Sequence, residues 1–183
     1  MLRHLPNLLS ALRLVAAPLA AWAILAAHDT AALVIFAAAG LSDLADGFVA
    51  RRWGFTSRIG AWLDPIADKL LMILCFLALL KIGAAPFWLV ALVIVRDVAI
   101  GGGAILAKIF GLRLRIEPLA IGKVTTAVLA LYVGTLLLLL AFDQDAPHLV
   151  RAGSYAVAVL VALSGAIYMQ SFLRALLSGR HTA

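Results

Sequence analysis

The 26 residues DLADGFVARRWGFTSRIGAWLDPIAD, positions 43 to 68, carry four aspartates in two close pairs. Asp43 and Asp46 are three apart, so a helix places them on one face, shared by Gly47 and Ala50 and bordered by Arg51. Asp64 and Asp68 are four apart and share a face of the next helix. A short turn containing Gly54 joins the two helices, making them antiparallel neighbours whose four carboxylates converge at matched depth. Carboxylates so crowded in a low dielectric repel one another and cannot all ionise unless cations neutralise them. Oxygen donors with no His or Cys beside them select Mg²⁺, Mn²⁺ or Ca²⁺ rather than zinc. Two such ions about 4 Å apart form the usual clamp for displacement at phosphorus. Gly47 and Gly60 leave room for a substrate close to the backbone. Arg51 and Arg58 stand at the rim, suited to phosphate oxygens. Structural salt bridges are the competing account of the aspartates. Against it, the four acids share one site while the nearest arginines sit at the membrane surface.

The elements that position these residues are membrane helices. Of 183 residues, 65% are hydrophobic and 13% charged, whereas a soluble domain averages about 45–50% apolar and about 25% charged. The expected fold is an all-α integral membrane protein, a single domain over residues 1–183. A helix needs roughly 20 apolar residues to cross about 30 Å of hydrocarbon. Six stretches qualify, near 8–27, 31–51, 60–80, 86–108, 119–141 and 149–176. Breaks fall at residues 28–30, around Gly54, from Gly83 to Pro86, from Gly111 to Pro118, and from Asp143 to Pro147. Five of the nine acids (Asp43, Asp46, Asp64, Asp68 and Asp97) lie inside these spans, where ionisable groups are costly and mark function. The lone cysteine, Cys75, can form no internal disulfide and reads as a packing residue.

Orientation follows from Lys and Arg. Twelve lie at the N-terminus, the even-numbered connections, the C-terminal end and the span ends beside them; only Lys81 and Arg151 lie on the other side. Both termini are therefore expected in the cytoplasm. The net charge of +6 serves this orientation and anionic lipids, not nucleic acid. The first span reads as a retained helix rather than a cleaved signal peptide, because Arg13 and Pro18 interrupt its apolar run and five spans follow. Leu2 to Leu12 is expected to start as an interfacial helix.

Asp43, Asp46, Gly47, Ala50, Arg51, Gly60, Asp64 and Asp68 fill the pattern D-x2-D-G-x2-A-R-x8-G-x3-D-x3-D. All eight positions and their spacing resemble the signature of the CDP-alcohol phosphatidyltransferase family, whose six-span plan also agrees. The resemblance implies a reaction, transfer of a phosphatidyl group from CDP-diacylglycerol to an alcohol with release of CMP. It implies that Asp43, Asp46 and Asp64 hold two divalent cations, Mg²⁺ or Mn²⁺, against the pyrophosphate. Asp68 would ligate a metal and act as general base, Gly47, Ala50 and Gly60 would line the cytidine pocket, and Arg51 would neutralise phosphate. Such chemistry needs positioning and charge neutralisation more than covalent help.

Asn7 and Arg13 in NLLSALR resemble the branches of the family that use glycerol-type acceptors. Arg96-Asp97, with Pro118 before Lys123, looks more like the cardiolipin synthase branch, with phosphatidylglycerol as acceptor. GKVTTA also resembles phosphatidylglycerophosphate synthases, whose acceptor is glycerol-3-phosphate. Arg96, Arg115 and Lys123 are candidates to hold an acceptor phosphate. Their competing roles are a buried pair with Asp97 for Arg96 and membrane anchoring for the other two. The four histidines lie at chain ends or loops without partners, so no histidine metal site is expected. Trp22, Trp53, Trp62 and Trp88 read mostly as interfacial anchors. Gly101, Gly102 and Gly103 read as a helix-packing face, and a homodimer is compatible with it. A cation-coupled transporter is the alternative of a different class, but it would place acids near the midplane on broken, repeated helices. The expected setting is a bacterial inner membrane with the site facing the cytoplasm.

Overall fold

The computed structural model describes the backbone of residues 5–53, 58–109 and 120–178, and within it the side chains of 11–42, 66–103, 106, 109 and 121–174. Six α-helices and no strand lie among the described residues: α1 (Leu5–Leu25), α2 (Asp29–Trp53), α3 (Arg58–Lys81), α4 (Phe87–Ile109), α5 (Ala120–Ala141) and α6 (Pro147–Ser178). Each covers one of the six apolar stretches. One expectation changes at the start. Leu5 to Leu12 belongs to α1 itself rather than to a separate interfacial helix. Pro6 falls in the first turn, where a missing N–H leaves no intrahelical bond broken. Pro18 lies inside α1, which continues through it. Pro147 opens α6, again at a position that suits proline.

The helix ends follow local rules. α1, α3 and α5 each close on a residue of positive φ: Ala27 at 57°, Gly83 at 79° and Asp143 at 50°. In each, the next amide reaches back to a carbonyl five residues earlier: His28 N to Ala23 O at 2.9 Å, Ala84 N to Leu79 O at 2.9 Å, Gln144 N to Leu139 O at 2.8 Å. This doubly bonded closure satisfies carbonyls that the helix leaves unpaired.

The chain divides into two compact units. The first comprises Met1–Ala85 with Val133–Ala146. Among the described residues its extensive packing runs through α1, against α3 and against α2. Small residues make close approach possible: Ala17, Ala20 and Ala23 on α1, Ala32 and Ala39 on α2, and Ala67 and Ala78 on α3 are all buried. The second unit comprises Pro86–Tyr132 with Pro147–Ala183, where α4 packs on α6. Within it the Tyr132 ring lies where a side chain on Gly153 would stand, 3.2 Å from that point. The Tyr132 hydroxyl shares a 2.7 Å hydrogen bond with buried Ser154.

Two segments, Ile121–Ala141 and Pro147–Arg174, are long and apolar enough to cross a membrane by length and composition. Ala11–Leu25 and Asp29–Ser42 are shorter apolar stretches. The six expected spans are thus matched as six helices among the described residues, two of which have that length and apolarity. Large apolar residues such as Leu131, Val98 and Val159 face outward. An all-helical build with apolar outer faces is consistent with a membrane protein.

Candidate active site

α2 carries Asp43, Asp46, Gly47, Ala50 and Arg51, and α3 carries Arg58, Gly60, Asp64 and Asp68. The motif is therefore helical in both its Asp43–Arg51 and its Gly60–Asp68 parts, as its spacing requires. Of these nine side chains, only that of Asp68 lies among the described residues; the others, and Arg115 entirely, lie outside them.

Asp68 is set by its neighbours on α3. Ala67 is fully buried and Leu71 nearly so, turning that face of the helix inward. Asp68 stands beside it with its side chain 43% exposed. From α1, Arg13 donates through Nη1 to Asp68 Oδ1 at 3.3 Å, with the arginine side chain only 1% exposed. A guanidinium buried in an apolar helix bundle is costly unless it finds a carboxylate, and the α1–α3 packing brings it to this one. The contact is longer than the roughly 2.7–2.9 Å of a tight charge-assisted bond. It leaves the Asp68 side chain 43% exposed. Sequence reasoning counted Arg13 as an anchor and a branch marker and missed this pairing. The signal was present, since a charged residue inside a span needs a partner.

Among the described residues no group of three or more metal-ligating side chains comes together; three of the four aspartates have side chains outside those residues. The donor chemistry fits a hard divalent cation: carboxylate oxygens, that of Asp68 on a side chain 43% exposed.

The candidate acceptor residues separate. Arg96 is 10% exposed, and its Nη1 donates to Asp97 Oδ1 at 2.7 Å. Its Nη2 donates to Ser164 Oγ on α6, also at 2.7 Å. Ser164 is fully buried, and Arg96 Nε has no hydrogen-bond partner. The buried Arg96–Asp97 pair weighed from sequence is present; the part played by Ser164, a serine in an apolar run, was not foreseen. Lys123 is exposed near the start of α5.

A family model described as CDP-alcohol phosphatidyltransferase matches residues 3–168. The chain is 38% identical over 140 residues to the cardiolipin synthase (CMP-forming) of Rattus norvegicus, covering 68% of this chain and 46% of that protein. It is 32% identical over 188 residues to a probable phosphatidylglycerophosphate synthase of Mycobacterium tuberculosis, covering 98% and 87%. It is 35% identical over 144 residues to the CDP-diacylglycerol–glycerol-3-phosphate 3-phosphatidyltransferase of Cereibacter sphaeroides, covering 72% and 64%. The chain spans about half the length of the rat, Drosophila melanogaster and rice proteins it matches.

Proposed function

The chain belongs to the CDP-alcohol phosphatidyltransferase family, and from that premise we propose that it transfers the phosphatidyl group of CDP-diacylglycerol to a glycerol-type alcohol, releasing CMP. The observation that carries this reading is the set of eight signature residues, filled at intact spacing across two consecutive helices. Asp43, Asp46, Asp64 and Asp68 hold two divalent cations, Mg²⁺ or Mn²⁺, which when bound neutralise the pyrophosphate and polarise the reacting phosphorus. Gly47, Ala50 and Gly60 leave room for the cytidine, and Arg51 and Arg58 meet its phosphates. Asp68 takes the proton from the acceptor hydroxyl. The freed oxygen attacks the lipid-side phosphorus, the bond to the CMP oxygen breaks, and CMP departs with that electron pair. Arg96, Arg115 and Lys123 meet the acceptor phosphate.

Phosphatidylglycerol is the acceptor we favour, giving cardiolipin. Arg96-Asp97 and Pro118 before Lys123 support it, as does the similarity to the rat cardiolipin synthase. Glycerol-3-phosphate is the second reading, supported by the Mycobacterium tuberculosis relative matched along 98% of this chain. The same proposal places six spans in a bacterial inner membrane, with both termini and the site on the cytoplasmic side, in keeping with the Lys and Arg bias. It leaves room for a homodimer.

The test is CMP release by purified protein given CDP-diacylglycerol, Mg²⁺ or Mn²⁺, and either acceptor, with the lipid product identified by mass. Cardiolipin from phosphatidylglycerol alone supports the favoured acceptor; product from glycerol-3-phosphate moves the chain to the other. Chelation is expected to stop release, and added Mg²⁺ or Mn²⁺ to restore it. Inactivity across a full panel of alcohols would reopen the transporter reading.

A further inference from the structure

Arg13 is among the largest fully buried side chains in the protein. Its five donors in a rigid fork match a carboxylate. It donates to Asp68, 55 residues away in sequence and held across the α1–α3 packing. The pair is asymmetric: 1% exposure for the arginine, 43% for the aspartate. A purely structural ion pair is expected to close both groups from solvent and to shorten the bond. This one closes only the cation, at 3.3 Å.

We infer that Arg13 is a positioning residue for Asp68: from α1 it fixes the direction of the carboxylate while leaving it open to the reacting hydroxyl. The inference rests on the reading of Asp68 as the general base. A base must lie within hydrogen-bond reach of the proton it takes, and small misplacements cost rate steeply. An aspartate on an open helix face has several rotamers of similar energy. A buried, immobile guanidinium on a neighbouring helix selects one. With 1% of its side chain exposed, Arg13 is expected to act on the chemical step through Asp68 and not on capture of the CDP-lipid.

The experiment uses the full chain in lipid nanodiscs, with CDP-diacylglycerol and whichever acceptor supports CMP release. kcat, KM for CDP-diacylglycerol and melting temperature are read for wild type, Arg13→Lys, Arg13→Gln, Asp68→Asn and the Arg13→Gln/Asp68→Asn double variant. Arg13→Gln is expected to lower kcat about 100-fold with KM changed less than about threefold, and Arg13→Lys to recover about tenfold of that loss. In the Asp68→Asn background the residual rate, followed as radiolabelled CMP, is expected to change less than about threefold, since no base is left to position. Wild-type kcat in Arg13→Gln, a loss undiminished in the Asp68→Asn background, or a lysine variant no better than glutamine overturns the inference. If Arg13→Gln does not fold, Arg13→Lys decides alone: kcat about tenfold down at unchanged KM and melting temperature supports it, and wild-type kcat refutes it. Ordinary turnover in Asp68→Asn removes the reading of Asp68 as base, and the inference with it. An inactive Asp68→Asn beside unaffected Arg13 variants removes the inference alone.

Discussion

Each of the two compact units buries an arginine against an aspartate, and the two pairs are built in opposite ways. In the first, Arg13 reaches Asp68 across two helices at 3.3 Å and leaves the acid 43% exposed. In the second, Arg96 grips its chain neighbour Asp97 at 2.7 Å, donates a second bond to Ser164, and leaves the acid 18% exposed. A tight, closed pair spends its carboxylate on holding an arginine in place. A long, half-open pair spends its arginine on holding a carboxylate in place. In the proposed reaction the group each pair contributes follows from this: the carboxylate of Asp68 in one unit, the guanidinium of Arg96 in the other.

Three substitutions break or sharpen that contrast. The largest effect is expected from Asp68→Asn, which removes the presented group of the open pair. Turnover should fall at least about a thousandfold, in the range of a lost general base, while CDP-lipid binding measured by calorimetry stays within about threefold. An Asp68→Asn enzyme that binds poorly but still turns over would make the open pair a binding device. Arg96→Met comes next. If the closed pair presents Arg96 to an acceptor phosphate, KM for the acceptor should rise about 10- to 100-fold with KM for CDP-diacylglycerol unchanged. A lower melting temperature with both KM values intact would make the closed pair purely structural and sharpen the difference between the units. The smallest effect is expected from Ser164→Ala, which strips one bond from the closed pair. It should cost about 1 kcal/mol, read as a melting point about 2–4 °C lower, with little change in rate.

How far these features were legible in the sequence depends on their range. The six helices could be drawn from apolar runs and their breaks, because hydropathy and turn residues act locally. His28 to Thr30, Gly83 to Pro86 and Asp143 to Pro147 each bound helices as expected. The helical backbone beneath Asp43–Asp46 and Asp64–Asp68 was legible for the same reason. The partnership of Arg13 with Asp68 was not. It depends on which face α1 turns toward α3, a choice made by alanines too alike to mark one face over another. Ser164 was hidden similarly, a small residue in an apolar run whose hydroxyl matters only because Arg96 packs against its neighbour Gly165. The left-handed residues Ala27 and Asp143 were also invisible, because neither is the glycine that usually signals such a closure.

Those three closures bear on how such a chain is made as well as on how it stands. On the proposed topology, the turns after α1, α3 and α5 are the parts that must be carried across the bilayer during synthesis. They comprise only residues 26–28, 82–86 and 142–146, and each folds its amides back onto the preceding helix. A translocating turn whose backbone is already satisfied carries fewer bare polar groups through hydrocarbon. Each odd-numbered helix and its successor can then enter as a hairpin, without a long hydrophilic segment to thread. The length and polarity of these turns, more than of the cytoplasmic connections, set how readily the nascent protein is inserted. Extending the Ala26–His28 turn with charged residues should therefore slow biogenesis before it touches the chemistry.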